Sequence, residues 1–177
     1  LAGVSYHTAT QSGTIAADGK YSYKYGETIT FSLGDTVIGD TVAAKATMTP
    51  FDLVSDAVIY TTYGQVKRAL SYIQEGQSSE RLALNKFSNV LTFLHTLDDD
   101  ANPENGININ AGIASLFEGV QIDFVTDLFD FDSHKKLKDI TRLAFGKGLL
   151  STAKIKAAGY SLDHFYSAQN ISRSEER

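Results

Sequence analysis

The stretch TITFSLGDTVIG, residues 28–39, decides the fold of the N-terminal part of the chain. Apolar residues alternate with small or polar ones, which places Ile29, Phe31 and Leu33 on one face of an extended segment. Gly34 and Asp35 favour a turn. The stretch therefore predicts two neighbouring antiparallel strands with one buried face.

Further short strands are predicted on the N-terminal side of this hairpin. Residues 4–8 alternate in the same way, and Ala17-Asp18-Gly19 is a turn signal of the Asp-Gly kind. The run YSYKY, residues 21–25, alternates tyrosine with polar residues. It predicts another strand, whose tyrosines line either the inside of a sheet or a stacking surface for sugar rings. Residues 1–50 thus predict a small antiparallel β-sheet or half-sandwich.

The hydrophobic period changes after Pro50, where helical spacing begins. One helix is predicted over residues 65–74, and a second from Ser78 or Ser79 up to the acidic run at residue 98. Shorter helices are predicted at 122–129 and after Ser133, Ser151 and Ser161. The helix after Ser133 is expected to bury Leu137, Ile140, Leu143 and Ala144.

No repeat or low-complexity linker divides the chain, so residues 1–177 are predicted to form a single domain of the α+β class. In this arrangement the β-rich part, 1–50, packs with a mainly helical part, 51–177, around a shared core. The absence of methionine before Leu1 suggests a removed leader or an excised piece of a longer protein.

The composition restricts the classes of function. Hydrophobic residues make up 42% and charged residues 21%, as in folded globular chains. The net charge of −5 argues against a nucleic-acid partner, because a phosphate-binding face needs clustered lysine and arginine. Cysteine is absent, which excludes disulfides and thiolate chemistry. No apolar run reaches the roughly 18–20 residues of a membrane span.

The run LDDDANPENGI, residues 97–107, is the strongest candidate site. Asp98, Asp100 and Asn102 alternate like the first ligands of a calcium loop, and Glu104 or Asn105 would replace the missing bidentate glutamate. Crowded carboxylates at the negative end of a helix dipole favour a bound cation. The alternative is a solvated turn, since Asp, Asn, Pro and Gly are also turn-forming residues. We therefore predict a structural calcium site at 98–107.

A second and weaker candidate site is an acidic patch that consists of Asp123, Asp127, Asp130 and Asp132. It is either a solvated face, a metal site, or the carboxylate pair of a hydrolase. The sequence has no nucleophile elbow, phosphate-binding loop or dinucleotide fingerprint. An enzyme is therefore the less favoured class, and no catalytic residue is assigned.

Several stretches also resemble a known group of proteins. They are AGVSY (2–6), TQSGT (10–14), GKY (19–21), YGETITFSLG (25–34), TPFDL (49–53) and LHTLDDDANPENGI (94–107). Together they resemble the N-terminal module of secreted lipoproteins and surface-exposed proteins of gammaproteobacteria, whose activity is unassigned. The resemblance covers about residues 1–110. It implies export and an extracellular or cell-surface setting associated with the outer membrane.

These features predict a non-catalytic extracellular or cell-surface module for binding, adhesion or surface assembly, with calcium as a structural ion. Its partner is expected to be a surface ligand or another protein, and homo-assembly is possible. Two alternatives stay open. One is a secreted, carboxylate-dependent hydrolase. The other is a self-assembling filament or surface-layer subunit that pairs through an open sheet edge.

Overall fold

A computed structural model of the protein describes residues 1–71, 79–100, 102, 105–131 and 135–150. Within these ranges the N-terminal part forms an antiparallel sheet of four strands, in the order β2-β1-β3-β4. The strands are β1 (Ser5–His7), β2 (Ser12–Thr14), β3 (Thr28–Leu33) and β4 (Thr36–Ala43). Helices follow along the chain, so the predicted α+β class is confirmed.

The helical part begins with a 3₁₀ helix, Pro50–Leu53. The α-helices are α1 (Tyr63–Ser71), α2 (Ser79–Leu97), α3 (Leu128–Phe131) and α4 (Lys135–Gly146), with a second 3₁₀ helix at Ala114–Phe117. The two 3₁₀ helices are not among the predicted elements. The expected caps at Ser78 and Ser133, and the helices after Ser151 and Ser161, lie outside the described residues.

The hairpin of β3 and β4 forms as predicted. Ile29, Phe31 and Leu33 are each 3% exposed or less, and Phe31 lies opposite Ile38 in the register. The strand β4 continues to Ala43, beyond the expected end at residue 39. Local alternation and a tight turn were therefore sufficient to locate this element.

The strand predicted over residues 21–25 is wrong, because this segment is irregular. The backbone N–H of Ser22 donates to the Tyr6 hydroxyl at 3.1 Å rather than to a neighbouring strand. The Tyr21 ring packs edge-on against Phe31, with 6.0 Å between ring centroids, whereas Tyr25 is fully exposed. Individual side-chain contacts thus replace a ladder of backbone hydrogen bonds.

The helix predicted over residues 122–129 is also wrong for most of its length. Only α3 is helical there, and it begins at Leu128. Ile122 and Phe124 are buried two residues apart, at 8% and 5% exposure, which is the spacing of extended chain. The apolar residues of this segment fill the core without forming a helix.

A buried polar column on α2 accounts for the non-helical form of this segment. We use this name for Arg81, Asn85 and Asn89, which lie one helical turn apart and are all 4% exposed or less. The Asn89 side-chain amide donates to the carbonyl oxygens of Phe124 at 2.9 Å and Thr126 at 2.7 Å. These carbonyls therefore have partners on another element and are not needed for helical bonds.

One hydrophobic cluster contains side chains from both parts of the chain. Phe31 and Ile38 come from the sheet, and Val90 and Phe93 come from α2. The helix α4 adds Leu137, Ile140 and Ala144, as predicted, whereas Leu143 is 49% exposed, contrary to prediction. This packing places the C-terminal half of α2 against the sheet, where the candidate site lies.

Candidate ligand pocket and acidic loop

A pocket of about 440 Å³ lies between the sheet and the C-terminal half of α2. The buried side chains in its lining are Ile15, Phe31, Leu53 and Leu94, none more than 4% exposed. They come from a β-strand, from the end of the first 3₁₀ helix, from α2 and from the chain after β2. The volume and the apolar lining are those of a small-molecule site.

Half-buried residues complete the lining of the pocket, namely Leu1, Tyr21, Met48, Pro50, Leu91 and Ile107. Tyr21 is held in place at both ends. Its ring packs against Phe31, and its hydroxyl donates a hydrogen bond to the carbonyl oxygen of Lys45. Because these half-buried residues retain some exposure, the pocket communicates with solvent.

The first 3₁₀ helix fixes one rim of the pocket through Thr49 and Asp52. The Thr49 N–H and hydroxyl donate to one Asp52 carboxylate oxygen at 2.8 and 2.9 Å. The Lys45 ammonium donates to the other at 2.5 Å. The hydrogen bond from Lys45 and the one from the Thr49 N–H lower the pKa of Asp52 from 3.8 to about 2. Asp52 is therefore a charged anchor for this rim.

The opposite wall, at Ile107, is tied to the N-terminus of the chain. The Ala2 N–H donates to the Ile107 carbonyl at 2.8 Å, and the Ile109 N–H donates to the Ala2 carbonyl at 3.0 Å. Gly3 has a φ of +82°, and a Cβ there would lie 2.0 Å from the Ile109 carbonyl oxygen. This close approach requires glycine at position 3.

Asp98 ties the same wall to the end of α2. Its side chain is 0% exposed, and its Oδ1 accepts the Asn108 N–H at 2.9 Å. The adjacent Asp99 N–H donates to the Asn108 carbonyl at 2.7 Å. The second oxygen, Oδ2, is buried and has no hydrogen-bond partner among the described residues. The first acidic residue of the loop is thus a buried link between α2 and the pocket wall.

Three of the other predicted calcium ligands, Asp100, Asn102 and Asn105, lie in the exposed part of the loop. Asp100 accepts the Asn102 N–H at 2.9 Å on one oxygen and the Asn105 side-chain amide at 2.5 Å on the other. Glu104 lies outside the described residues. In the parts of the chain that the structure describes, no group of three or more His, Cys, Asp or Glu side chains is arranged to hold a metal ion.

The described members of the second acidic patch make separate contacts and do not form one group. Asp127 pairs with Arg81 of the buried polar column at 2.7 Å, and Asp123 accepts the Val125 N–H at 2.9 Å. Asp130 is exposed in the first turn of α3. Asp132 lies outside the described residues. Asp123 thus accepts a hydrogen bond from the backbone of its own segment, and Asp127 links that segment to α2.

Comparison with known proteins identifies no relative. The chain matches no protein-family model, no curated protein and no solved structure. None of the helices in the described ranges combines the length and apolar character needed to cross a membrane.

Proposed function

We propose that this chain is a non-catalytic binding module that holds a small apolar ligand in the pocket between the sheet and α2. The observation that supports this function is an apolar pocket of about 440 Å³ that opens to solvent. Small-molecule sites are typically concave and mostly apolar, with a few polar groups that orient the ligand. Besides the Tyr21 hydroxyl, which is hydrogen-bonded to Lys45, the polar side chains in this lining are Thr49 and His95.

The contacts around the pocket support a preformed site. Asp52 anchors the rim at Thr49, and Ala2 and Asp98 hold the wall at Ile107 from two directions. A ligand that enters a fixed pocket does not have to order it first. Preorganisation of this kind lowers the entropic cost of binding.

The proposal places the module outside the cell or on its surface, in association with the outer membrane. The support for this location is the resemblance of residues 1–110 to modules of exported gammaproteobacterial proteins. Its partner would then be a molecule met at the cell surface.

Calcium, as a structural ion in the 98–107 loop, is the second part of the proposal. Asp98 supports it, because a buried carboxylate oxygen without a described donor is costly unless a cation or donor satisfies it. Further along the same loop, Asp100, Asn102 and Asn105 carry oxygens that are hard ligands of the kind calcium prefers. An ion there would stiffen the connection between α2 and Ile107. Extracellular calcium, at millimolar levels, fills even weak loops.

A pocket-filling substitution tests the binding function. The uncharged dye N-phenylnaphthylamine would be titrated into the wild type and into Leu91→Trp, which places a large side chain in the pocket. Leu82→Trp is the matched control, since Leu82 is also half-buried on α2 but is not part of the lining. We expect saturable binding to the wild type and to the control, and binding weaker by at least about tenfold in Leu91→Trp.

Two results would contradict the proposed function. One is a wild type that binds no dye. The other is an equal loss of binding in both tryptophan variants, which would show that the dye responds to general destabilisation of α2. Melting curves of both variants would establish that they are folded at the temperature of the titration.

A further inference from the structure

The negative end of a helix dipole borders the pocket. Leu91, Leu94 and His95 line it, and α2 ends at Leu97. The last carbonyl groups of a helix carry a partial negative charge, which falls off within about one turn. A ligand whose polar end lies beside His95 therefore meets this field directly.

Two carboxylates near the mouth of the pocket are balanced by lysines. Asp18, next to the lining residue Gly19, pairs with Lys20 at 2.9 Å. Asp52 pairs with Lys45 at 2.5 Å. Each pair has no net charge, so neither favours a charged ligand of either sign.

The acidic loop adds negative charge on the same side as the end of α2. Residues 98–100 are three consecutive aspartates that begin three residues after His95. Asp99 and Asp100 are exposed. The Asp99 backbone N–H donates a hydrogen bond to the carbonyl oxygen of Asn108, which directly follows the pocket residue Ile107. The acidic run therefore joins the chain next to the pocket wall, beside the end of α2.

We infer that the pocket selects apolar molecules whose polar end is uncharged and discriminates against anionic amphiphiles such as fatty-acid carboxylates. This inference depends on the proposed binding function and specifies its ligand class. An anionic group would either lose its hydration inside the apolar lining or lie at the mouth beside like charges. An uncharged polar end meets neither cost and can hydrogen-bond with Thr49 or His95.

Two dyes that share the same ring system test the selection. N-phenylnaphthylamine is uncharged, and anilinonaphthalene sulfonate adds one sulfonate to it. Both would be titrated at about pH 8 in calcium-free buffer, so that the proposed ion does not offset the charge of the loop. We expect the uncharged dye to bind at least about tenfold more tightly, and Leu91→Trp to weaken both, because both occupy the pocket. For the wild type, we also expect the difference in affinity between the two dyes to become smaller at higher salt concentration, because salt screens exposed charges.

A pair of substitutions that removes two negative charges from the loop tests the source of the selection. The double variant Asp99→Asn, Asp100→Asn should reduce the preference several-fold. The control Glu118→Gln, Asp130→Asn changes the net charge equally at exposed sites outside the lining and should keep the full preference. Equal effects of the two double variants would overturn the role of the acidic loop.

The results also separate this inference from the proposed function. If the sulfonate dye binds the pocket as tightly as the uncharged dye, the selection is overturned and the binding function stands. If neither dye binds the wild type, the binding function fails, and the inference fails with it.

Discussion

The buried polar column gives the most specific stability prediction, through Asn89. This side chain is 1% exposed and donates to two carbonyls, those of Phe124 and Thr126. Asn89→Ala removes both hydrogen bonds and leaves the two carbonyls without their donor. An unsatisfied buried group costs about 1–3 kcal/mol. We therefore expect Asn89→Ala to lower the free energy of unfolding by about 2–5 kcal/mol, a large part of the roughly 5–15 kcal/mol of a typical domain.

Urea unfolding followed by circular dichroism would measure this change. Hydrogen exchange over residues 122–128 would show whether the segment opens locally, as the lost contacts predict. Thr92→Ala, a half-buried position on the same helix, is the control, and we expect it to cost less than about 1 kcal/mol. The reasoning is refuted if Asn89→Ala costs no more than this control, or if exchange in the segment is unchanged.

Three further predictions concern the walls of the pocket. Gly3→Ala should cost at least about 3 kcal/mol in an unfolding titration, because a Cβ would lie 2.0 Å from the Ile109 carbonyl oxygen. Gly19→Ala, also at positive φ but with nothing within 4 Å, should cost only about 1 kcal/mol, and equal costs would contradict the close approach. Asp52 is predicted to stabilise the fold by about 1 kcal/mol above pH 3.8 and to lose this contribution as the pH falls through about 2, since its folded pKa is lowered. Asp52→Asn should remove this part of the pH dependence, and an unchanged acid-unfolding curve would disprove the anchor. Calcium should raise the melting temperature and a chelator should reverse this rise, and both effects should be lost in Asp98→Asn. A wild-type melting temperature that does not change with calcium would contradict the proposed ion.

Local pattern was sufficient where neighbours in sequence decide the structure. The hairpin at residues 28–39 has alternation, a tight turn and a buried face within twelve residues of chain. Most of α2 was also predictable, because its apolar residues repeat at helical spacing and bury Val90 and Leu94. The α+β class follows from these two signals together.

The pattern failed where a distant side chain takes the backbone hydrogen bonds. The run at 21–25 alternates like a strand, but Tyr6, fifteen residues before it, accepts the Ser22 N–H. Residues 124–126 are held in a non-helical turn by Asn89. The sequence did contain a signal for this contact with α2. Arg81, Asn85 and Asn89 are spaced four residues apart on the buried face of the helix, but the pattern of apolar residues does not reveal polar residues at that spacing.

The candidate site was predictable only in part. Composition located the acidic loop, but not the buried link from Asp98 to Asn108, which depends on how the loop folds back. No short stretch of the sequence predicts the pocket. Its lining comes from Leu1, from the sheet, from α2 and from the chain around Ile107, which are brought together only by folding.

The central claim is that the pocket binds a ligand, and Met48 offers the most direct test. It is the single methionine of the chain and lies in the pocket lining. Protein labelled at the methionine methyl group therefore gives one signal in a magnetic resonance spectrum, and that signal reports from the pocket. On titration with N-phenylnaphthylamine we expect the Met48 signal to shift saturably in the wild type and far less in Leu91→Trp. A signal that stays in place while the dye binds elsewhere would contradict the account.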